Sequence, residues 1–266
     1  MDKNYWANFY AKHKVGEKPS LFAKFVWENY LATRKDSTSL IELGCGNGRD
    51  ALYFAKQGIQ TTAIDQVQEE VSYLATHCAT TKNGVVNPRF IAGDFTNLNE
   101  IFRNVTPHSS NTQNRGIIFD CIYSRFTLHS ITHTQQESLL SQIPNFIAPN
   151  GILAIEARGK KNSLYKQGEP VENEANAFIH DNHYRRFVDF DNLCEIVESQ
   201  LNLEIHFAKE DRGFAPFNGE DDYFFRIVGI TRHERERERV KRATRFVVFI
   251  AFIKLDSSDI GESYVA

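Results

Sequence analysis

The sequence lacks most of the features that would place a chain at once. Its net charge at neutral pH is only −3, so there is no global case for nucleic acid, which calls for a positive surplus. The four cysteines, Cys45, Cys78, Cys121 and Cys194, are scattered and form no C-x-x-C pair. That spacing excludes a zinc ribbon and a disulfide frame. It points to reduced, mostly buried thiols of a cytoplasmic protein, with no metal site. No apolar run approaches the roughly 20 residues that span a bilayer. The opening "MDKNYWANFYAKHK" is too polar for a signal peptide, and no internal repeat is present. What remains is ordinary for a soluble globular chain: 41% hydrophobic and 24% charged residues over 266 positions, enough for one large core with an appendage.

From position 39 to 158 the chain alternates short apolar runs with amphipathic stretches. Strands are predicted at 39–43 ("SLIEL"), 60–65 ("QTTAID"), 88–94 ("PRFIAGD"), 119–124 ("FDCIYS") and 151–157 ("GILAIEA"), with helices over 48–58, 68–81 and 134–147 between them. This rhythm predicts a doubly wound α/β sheet of parallel strands with helices on both faces. A polar segment without period, about 159–187, reads as loop and insertion. A helix over 189–201 and strands at 203–210 and 223–232 follow, and late strands so close together suit an antiparallel edge. Before the sheet, "NYWANFYAKHK" and "PSLFAKFVWENYLA" read as two helices. After it, "RHERERERVKRATR" is a dense mixed-charge run and "FVVFIAFIKL" is continuously apolar but too short to span a membrane. That tail reads as an extra element packing on the domain or on a second subunit, or as a peripheral membrane or partner contact.

The stretch "LIELGCGNGRD" (40–50) carries the most chemistry. A strand running through glycines into a helix aims backbone N–H groups and a positive helix end at a ligand. No Gly-Lys-Ser/Thr follows, which excludes a nucleotide P-loop. The spacing of Gly44, Gly46 and Gly48 is not the G-x-G-x-x-G of a dinucleotide site. Glu42, inside the strand, suits a cationic or hydroxyl-rich ligand better than a pyrophosphate, or else is a buried acid satisfied by backbone N–H groups. Asp65, at the second strand tip, suits a ribose diol or a helix N-cap. Asp94 and Phe95, at the third, offer an acceptor for an exocyclic amine and an aromatic edge for a purine. A ribose, an adenine and a cationic end that is not a phosphate together describe S-adenosyl-L-methionine.

These motifs in this order, with "FDCIYSRFTLH" (119–129) and "IAPNGILAIEARG" (147–159), resemble class I S-adenosylmethionine-dependent methyltransferases over about residues 20–232. The resemblance implies a seven-stranded Rossmann-like sheet with its last strand antiparallel. It divides the chain into an N-terminal helical lid (1–36), the methyltransferase domain (37–232) and a C-terminal extension (233–266). It implies a cofactor site of Glu42, Gly44, Cys45, Gly46, Asp50, Asp65, Gln66, Asp94, Phe95 and Ser124, with Ser124 and Arg125 facing the transferred methyl. His129 reads either as a general base or as a structural hydrogen-bonder.

Arginines and tyrosines mixed in the insertion suit an anionic oxygen acceptor. Arg158, Tyr165, Tyr184, Arg185 and Arg186 are the candidates; the alternative is a solvated basic loop with Arg186 and Tyr184 packing on the domain. "NYWANFYAKHKVGEKPSLFAKFV", "YSRFTLHSI", "EARGKKNSLYKQGE" and "HYRRF" are similar to bacterial methyltransferases encoded with capsule or O-antigen polysaccharide genes. That similarity implies a small-molecule or glycan-linked anionic acceptor, with Arg125 helping to orient it and the N-terminal helices, carrying Trp6, Phe9 and Tyr10, closing over it. The alternatives are a small-molecule methyltransferase acting on a carboxylate, thiol or amine, and a non-catalytic scaffold that binds partners through its tail. The sequence does not indicate an oligomeric state.

Overall fold

The apolar runs become seven strands of one sheet. The structure, a computed structural model, describes residues 18–34, 38–82, 84–103, 117–217 and 219–232. The strands are β1 (Ser39–Leu43), β2 (Gln60–Asp65), β3 (Arg89–Ala92), β4 (Phe119–Arg125), β5 (Ile147–Ala157), β6 (Leu203–Asp211) and β7 (Phe224–Thr231). Their order across the sheet is β6-β7-β5-β4-β1-β2-β3. β1 runs parallel to β2 and β4, β2 to β3, and β4 to β5. β7 is antiparallel to both β5 and β6. The expected seven-stranded sheet with its last strand, β7, antiparallel is therefore present, and that strand lies between β5 and the edge strand β6. The chain winds outward from β1 to β3, then returns to lay β4 on β1's other side. Such a switch point opens a crevice at the C-terminal strand ends.

The helices are α1 (Leu21–Val26, continued by a π-helical turn, Trp27–Leu31), α2 (Arg49–Lys56), α3 (Gln68–His77), α4 (Leu98–Phe102), α5 (His133–Phe146) and α6 (Phe190–Glu195, continued by a π-helical turn, Ile196–Gln200). Central strands are buried on both faces, so their alternate residues feed two separate cores. Ile41, Ile122 and Leu153 join Leu139 and Ile143 of α5 in one. Leu40, Cys121, Tyr123 and Ile152 join Phe22 and Val26 of α1 and Phe54 of α2 in the other. A capping box at Thr132 and Gln135 starts α5.

Three boundaries differ from expectation. α3 stops at His77 rather than 81, because Thr80–Lys82 turns back as a short hairpin onto Val85–Asn87. β5 begins at Ile147, where a helix was expected to end. The supposed loop at 159–187 contains a three-stranded sheet of Glu169–Pro170, Ala177–His180 and His183–Arg186. Asp181 and Asn182, at φ +51° and +56°, form the turn between its last two strands, the left-handed pair that a two-residue hairpin needs.

Among the described residues no helix is long and apolar enough to cross a membrane. The chain divides into two compact units, Met1–Thr231 and Arg232–Ala266. The predicted first helix with Trp6, Phe9 and Tyr10, and the charged and apolar tail at 233–266, lie outside the described residues.

Candidate active site

The glycine turn sits where β1 meets α2, beside the switch point. Gly44, Gly46 and Gly48 all have positive φ, at +70°, +54° and +72°, a region where a side chain is strained. At Gly44 a β-carbon would also stand 2.5 Å from Thr127 Cγ2 and 3.3 Å from the Phe95 ring. Asp65 ties the turn to the end of β2. One carboxylate oxygen accepts from the Gly46 N–H at 2.9 Å and the other from the Val67 N–H at 3.0 Å. Burial pushes its pKa up, against the pull of those N–H groups. Each oxygen keeps a second lone pair for a hydroxyl donor. Gln66, half-buried, follows it. Asp94 is exposed and accepts from the Thr96 N–H at 2.9 Å and the Thr96 hydroxyl at 2.7 Å.

Glu42 is the unusual member. It is 4% exposed, and among the described residues its Oε2 is the buried side-chain atom without a hydrogen-bond partner. Burial first, then the nearby Asp50 carboxylate, push its pKa well up; Arg125, Arg49 and the Ala51 N–H pull the other way. A buried acceptor without a donor is costly, and a bound ammonium would satisfy it. The reading of Glu42 as an acid fully satisfied by backbone N–H groups therefore does not hold. An orphaned acceptor on β1, a turn crowded at Gly44 so that a side chain there would clash, and carboxylates at the tips of β2 and β3 fit S-adenosyl-L-methionine.

Four side chains expected on the cofactor turn inward instead. Asp50 accepts from the Ser20 N–H and hydroxyl, both at 2.7 Å, and from the Tyr123 hydroxyl at 2.9 Å. It anchors α1. The Cys45 N–H donates to Ile64 O and its carbonyl accepts from the Gly48 N–H, both at 2.9 Å, while its thiol packs with Ala51, Ala63 and Leu74. Phe95 is 2% exposed and lies in the core beneath Gly44, so it offers no open ring to a purine. The Ser124 side chain is also buried, its hydroxyl paired with that of Thr127.

The C-terminal ends of β4 and β5 collect positive charge. Arg125 Nε donates to Glu156 Oε1 at 2.9 Å, and its guanidinium carbon lies 3.9 Å from the Phe126 ring centroid. Phe126 has φ +61°, a strained conformation for a bulky residue. It stacks on Phe224 with ring centroids 5.0 Å apart. The Arg158 guanidinium lies over the other aromatic of that pair, 4.7 Å from the Phe224 centroid, and donates to Asn162 Oδ1 at 3.1 Å. Burial, then neighbouring Arg185, push its pKa down to about 10, with Asp222 pulling back.

His129 sits inside this cluster. Its Nδ1 accepts from the Arg158 backbone N–H at 3.3 Å. Burial, then Arg158, His183, Arg185 and Arg125, hold its pKa well below the usual 6.5. The imidazole is therefore neutral, with its proton on Nε2 and its Nδ1 lone pair already used. This favours the hydrogen-bonding reading over the general base.

The insertion contributes unevenly. Arg185 donates to His180 O at 3.2 Å, and its charge reaches both His129 and Arg158. Tyr184 donates to Ile131 O at 3.4 Å. Tyr165 donates to Asn176 Oδ1 at 2.9 Å and packs against Phe178 and Phe187. Arg186 is 3% exposed and donates to Ile131 O at 2.9 Å, Leu128 O at 3.0 Å and Gln136 Oε1 at 2.6 Å. Arg186 and Tyr165, expected at the acceptor, are thus spent on holding the insertion to the domain. Sequence reasoning passed over Glu156, Thr127 and Tyr123. Glu156 had a signal, an acid inside the apolar run "GILAIEA", directly opposite Arg125 in the neighbouring strand.

The pattern of the family described as "Methyltransferase domain" matches residues 14–206. The chain belongs to that methyltransferase family. Its orphaned Glu42 oxygen, glycine turn and Asp65 fit the cofactor expected from the sequence, S-adenosyl-L-methionine. No curated protein sequence matches the chain. Solved structures share its fold at low identity. One is an S-adenosylmethionine-dependent methyltransferase from Methanosarcina mazei, 14% identical with a TM-score of 0.59, covering 79% of this chain and 98% of its own. Another is the Burkholderia thailandensis 1,6-didemethyltoxoflavin-N1-methyltransferase with bound 1,6-didemethyltoxoflavin and S-adenosylhomocysteine, 17% identical with a TM-score of 0.55, covering 86% of both chains. A third is the glycopeptide N-methyltransferase MtfA, 12% identical with a TM-score of 0.52, covering 80% of this chain and 95% of its own.

Proposed function

We propose that this methyltransferase transfers its methyl group to an oxygen of an anionic acceptor, a phosphoryl group or a comparable acid on a sugar or glycan precursor. The observation that carries the reading is the convergence of Arg125, Arg158 and Arg185 around a neutral His129 at the ends of β4 and β5. Burial, then the charges of Arg185 and Arg125, hold the Arg158 pKa down; an anion among them would relieve that crowding, and arginine can bind such an oxyanion bidentately.

When bound, S-adenosyl-L-methionine supplies an electrophilic methyl on a sulfonium and departs as a neutral thioether. Asp65 would hold its ribose and Asp94 its base, while the glycine turn and the orphaned Glu42 oxygen would hold its methionine end. The remaining work is alignment and exclusion of water. An acceptor that arrives already ionised needs no base, which agrees with a histidine held neutral and with its Nδ1 occupied. A precursor of a bacterial surface polysaccharide, made in the cytoplasm, is the narrower reading, supported by the sequence similarity of the N-terminal segment, the stretch after β4 and the insertion.

Titration calorimetry with S-adenosylhomocysteine tests the cofactor half, with Asp65→Ala expected to abolish binding. The Arg158→Ala/Arg185→Ala double variant should bind cofactor normally and lose turnover of phosphorylated sugars. Full turnover in that variant would refute the anion site. The second reading, a small-molecule N-methyltransferase, draws on the folds shared with the toxoflavin and glycopeptide enzymes. It predicts turnover of neutral amines and none of phosphorylated sugars.

A further inference from the structure

We propose that Glu156 is the positioning residue of the acceptor site, fixing the guanidinium of Arg125 from behind. The proposal rests on the reading of Arg125 as an acceptor-side group. Glu156 and Arg125 face each other across β5 and β4, at the C-terminal end of the sheet where the crevice opens. Glu156 is fully buried while the Arg125 side chain is 16% exposed, so the open end of the pair is the guanidinium.

Glu156 is itself held. Its Oε2 accepts from Arg226 Nε at 2.7 Å. Arg226 donates to Phe214 O at 2.8 Å, and its guanidinium lies 4.3–5.2 Å from the ring centroids of Phe214, Phe25 and Phe22. Packing thus fixes Arg226, Arg226 fixes the carboxylate, and the carboxylate fixes Arg125. With Phe126 against its face, Arg125 is constrained both in plane and in rotation. A bond that only clamped β4 to β5 would make no use of this chain. The strands already pair through their backbones over most of their length.

Two readouts on the S-adenosylhomocysteine-loaded protein test the idea. In 15N spectra, the Arg125 Nε–H signal, assigned by its loss in Arg125→Lys, should be protected from exchange, and Glu156→Gln should abolish that protection. Inorganic phosphate, titrated as the probe anion, should bind about tenfold more weakly to Glu156→Gln, the effect of one misdirected charge-assisted hydrogen bond. Because the two residues act as a unit, Glu156→Gln/Arg125→Lys should lose no more than Arg125→Lys alone. Unchanged S-adenosylhomocysteine affinity in each variant excludes misfolding. Should Glu156→Gln fail to fold, Glu156→Asp keeps the charge but withdraws the carboxylate by one methylene, and should show a smaller loss of both signals. Retained Arg125 Nε–H protection, or additive losses in the double variant, would overturn the proposal. A wild type that binds no phosphate would refute the anionic acceptor instead, with the Nε–H signal still deciding whether Glu156 positions Arg125.

Discussion

Replacing Arg186 with methionine separates a structural arginine from a substrate-binding one. The guanidinium is buried and bonded to two main-chain carbonyls, of Ile131 and Leu128, and to Gln136. Methionine approximates the stem's volume and removes every donor. Hydrogen bonds from a charged group are worth about 1.5–3 kcal/mol each, and the penalty of burying the guanidinium is recovered when it goes. The net loss should be about 3 kcal/mol, which lowers Tm by about 6–12 °C for a unit of this size. Thermal melts followed by circular dichroism measure it, with titration calorimetry of S-adenosylhomocysteine alongside. At a temperature where both forms are folded, phosphorylated-sugar turnover should stay within about threefold of wild type, below the ~1.4 kcal/mol of a tenfold effect. An unchanged Tm with turnover abolished would refute the assignment and return Arg186 to the acceptor.

Gly44→Ala should cost about 2–4 kcal/mol from the left-handed backbone and the contact with Thr127, and should abolish cofactor binding in calorimetry. Tyr123→Phe removes a hydroxyl donated to Asp50 and should lower urea-denaturation stability by about 1–2 kcal/mol. The folded pKa of His129 lies below its ordinary 6.5. As pH falls through about 6.5 the unfolded chain takes up a proton that the folded chain refuses, so this residue subtracts stability at acid pH and none above neutrality. Denaturation midpoints between pH 5 and 8 should show a shallower acid-side fall in His129→Gln; an identical slope would contradict the buried neutral imidazole.

The sheet was legible because burial on both faces writes strands as apolar runs such as "SLIEL", and the crossovers between them carry amphipathic helices. The hairpin after α3 was missed although "NG" at 83–84 announces it. The Asp181–Asn182 turn was missed because the strands beside it mix polar and apolar residues without strict alternation. In the candidate site, what backbone geometry sets, the turn at Gly44 and Gly46 and the place of Asp65 at the tip of β2, could be read from spacing. Asp50, Arg186 and Tyr165 could not, because what decides their role is which distant group reaches them first. Asp50 meets Ser20, 30 positions away, and Tyr123, 73 positions away. A motif reports the residue and says nothing of that competition.

The aromatic contacts of α1 set an order of events during synthesis. The ribosome completes α1 long before it makes the surfaces that cover it. Phe22 stacks on Tyr123, and Phe25 packs at a tilt against Phe207, so both rings wait for more than a hundred further residues to emerge. Until then α1 can meet only α2, through Asp50, and its aromatic face stays partly uncovered, a state prone to association. The docking of α1 is therefore completed only after β4 and β6 have been made.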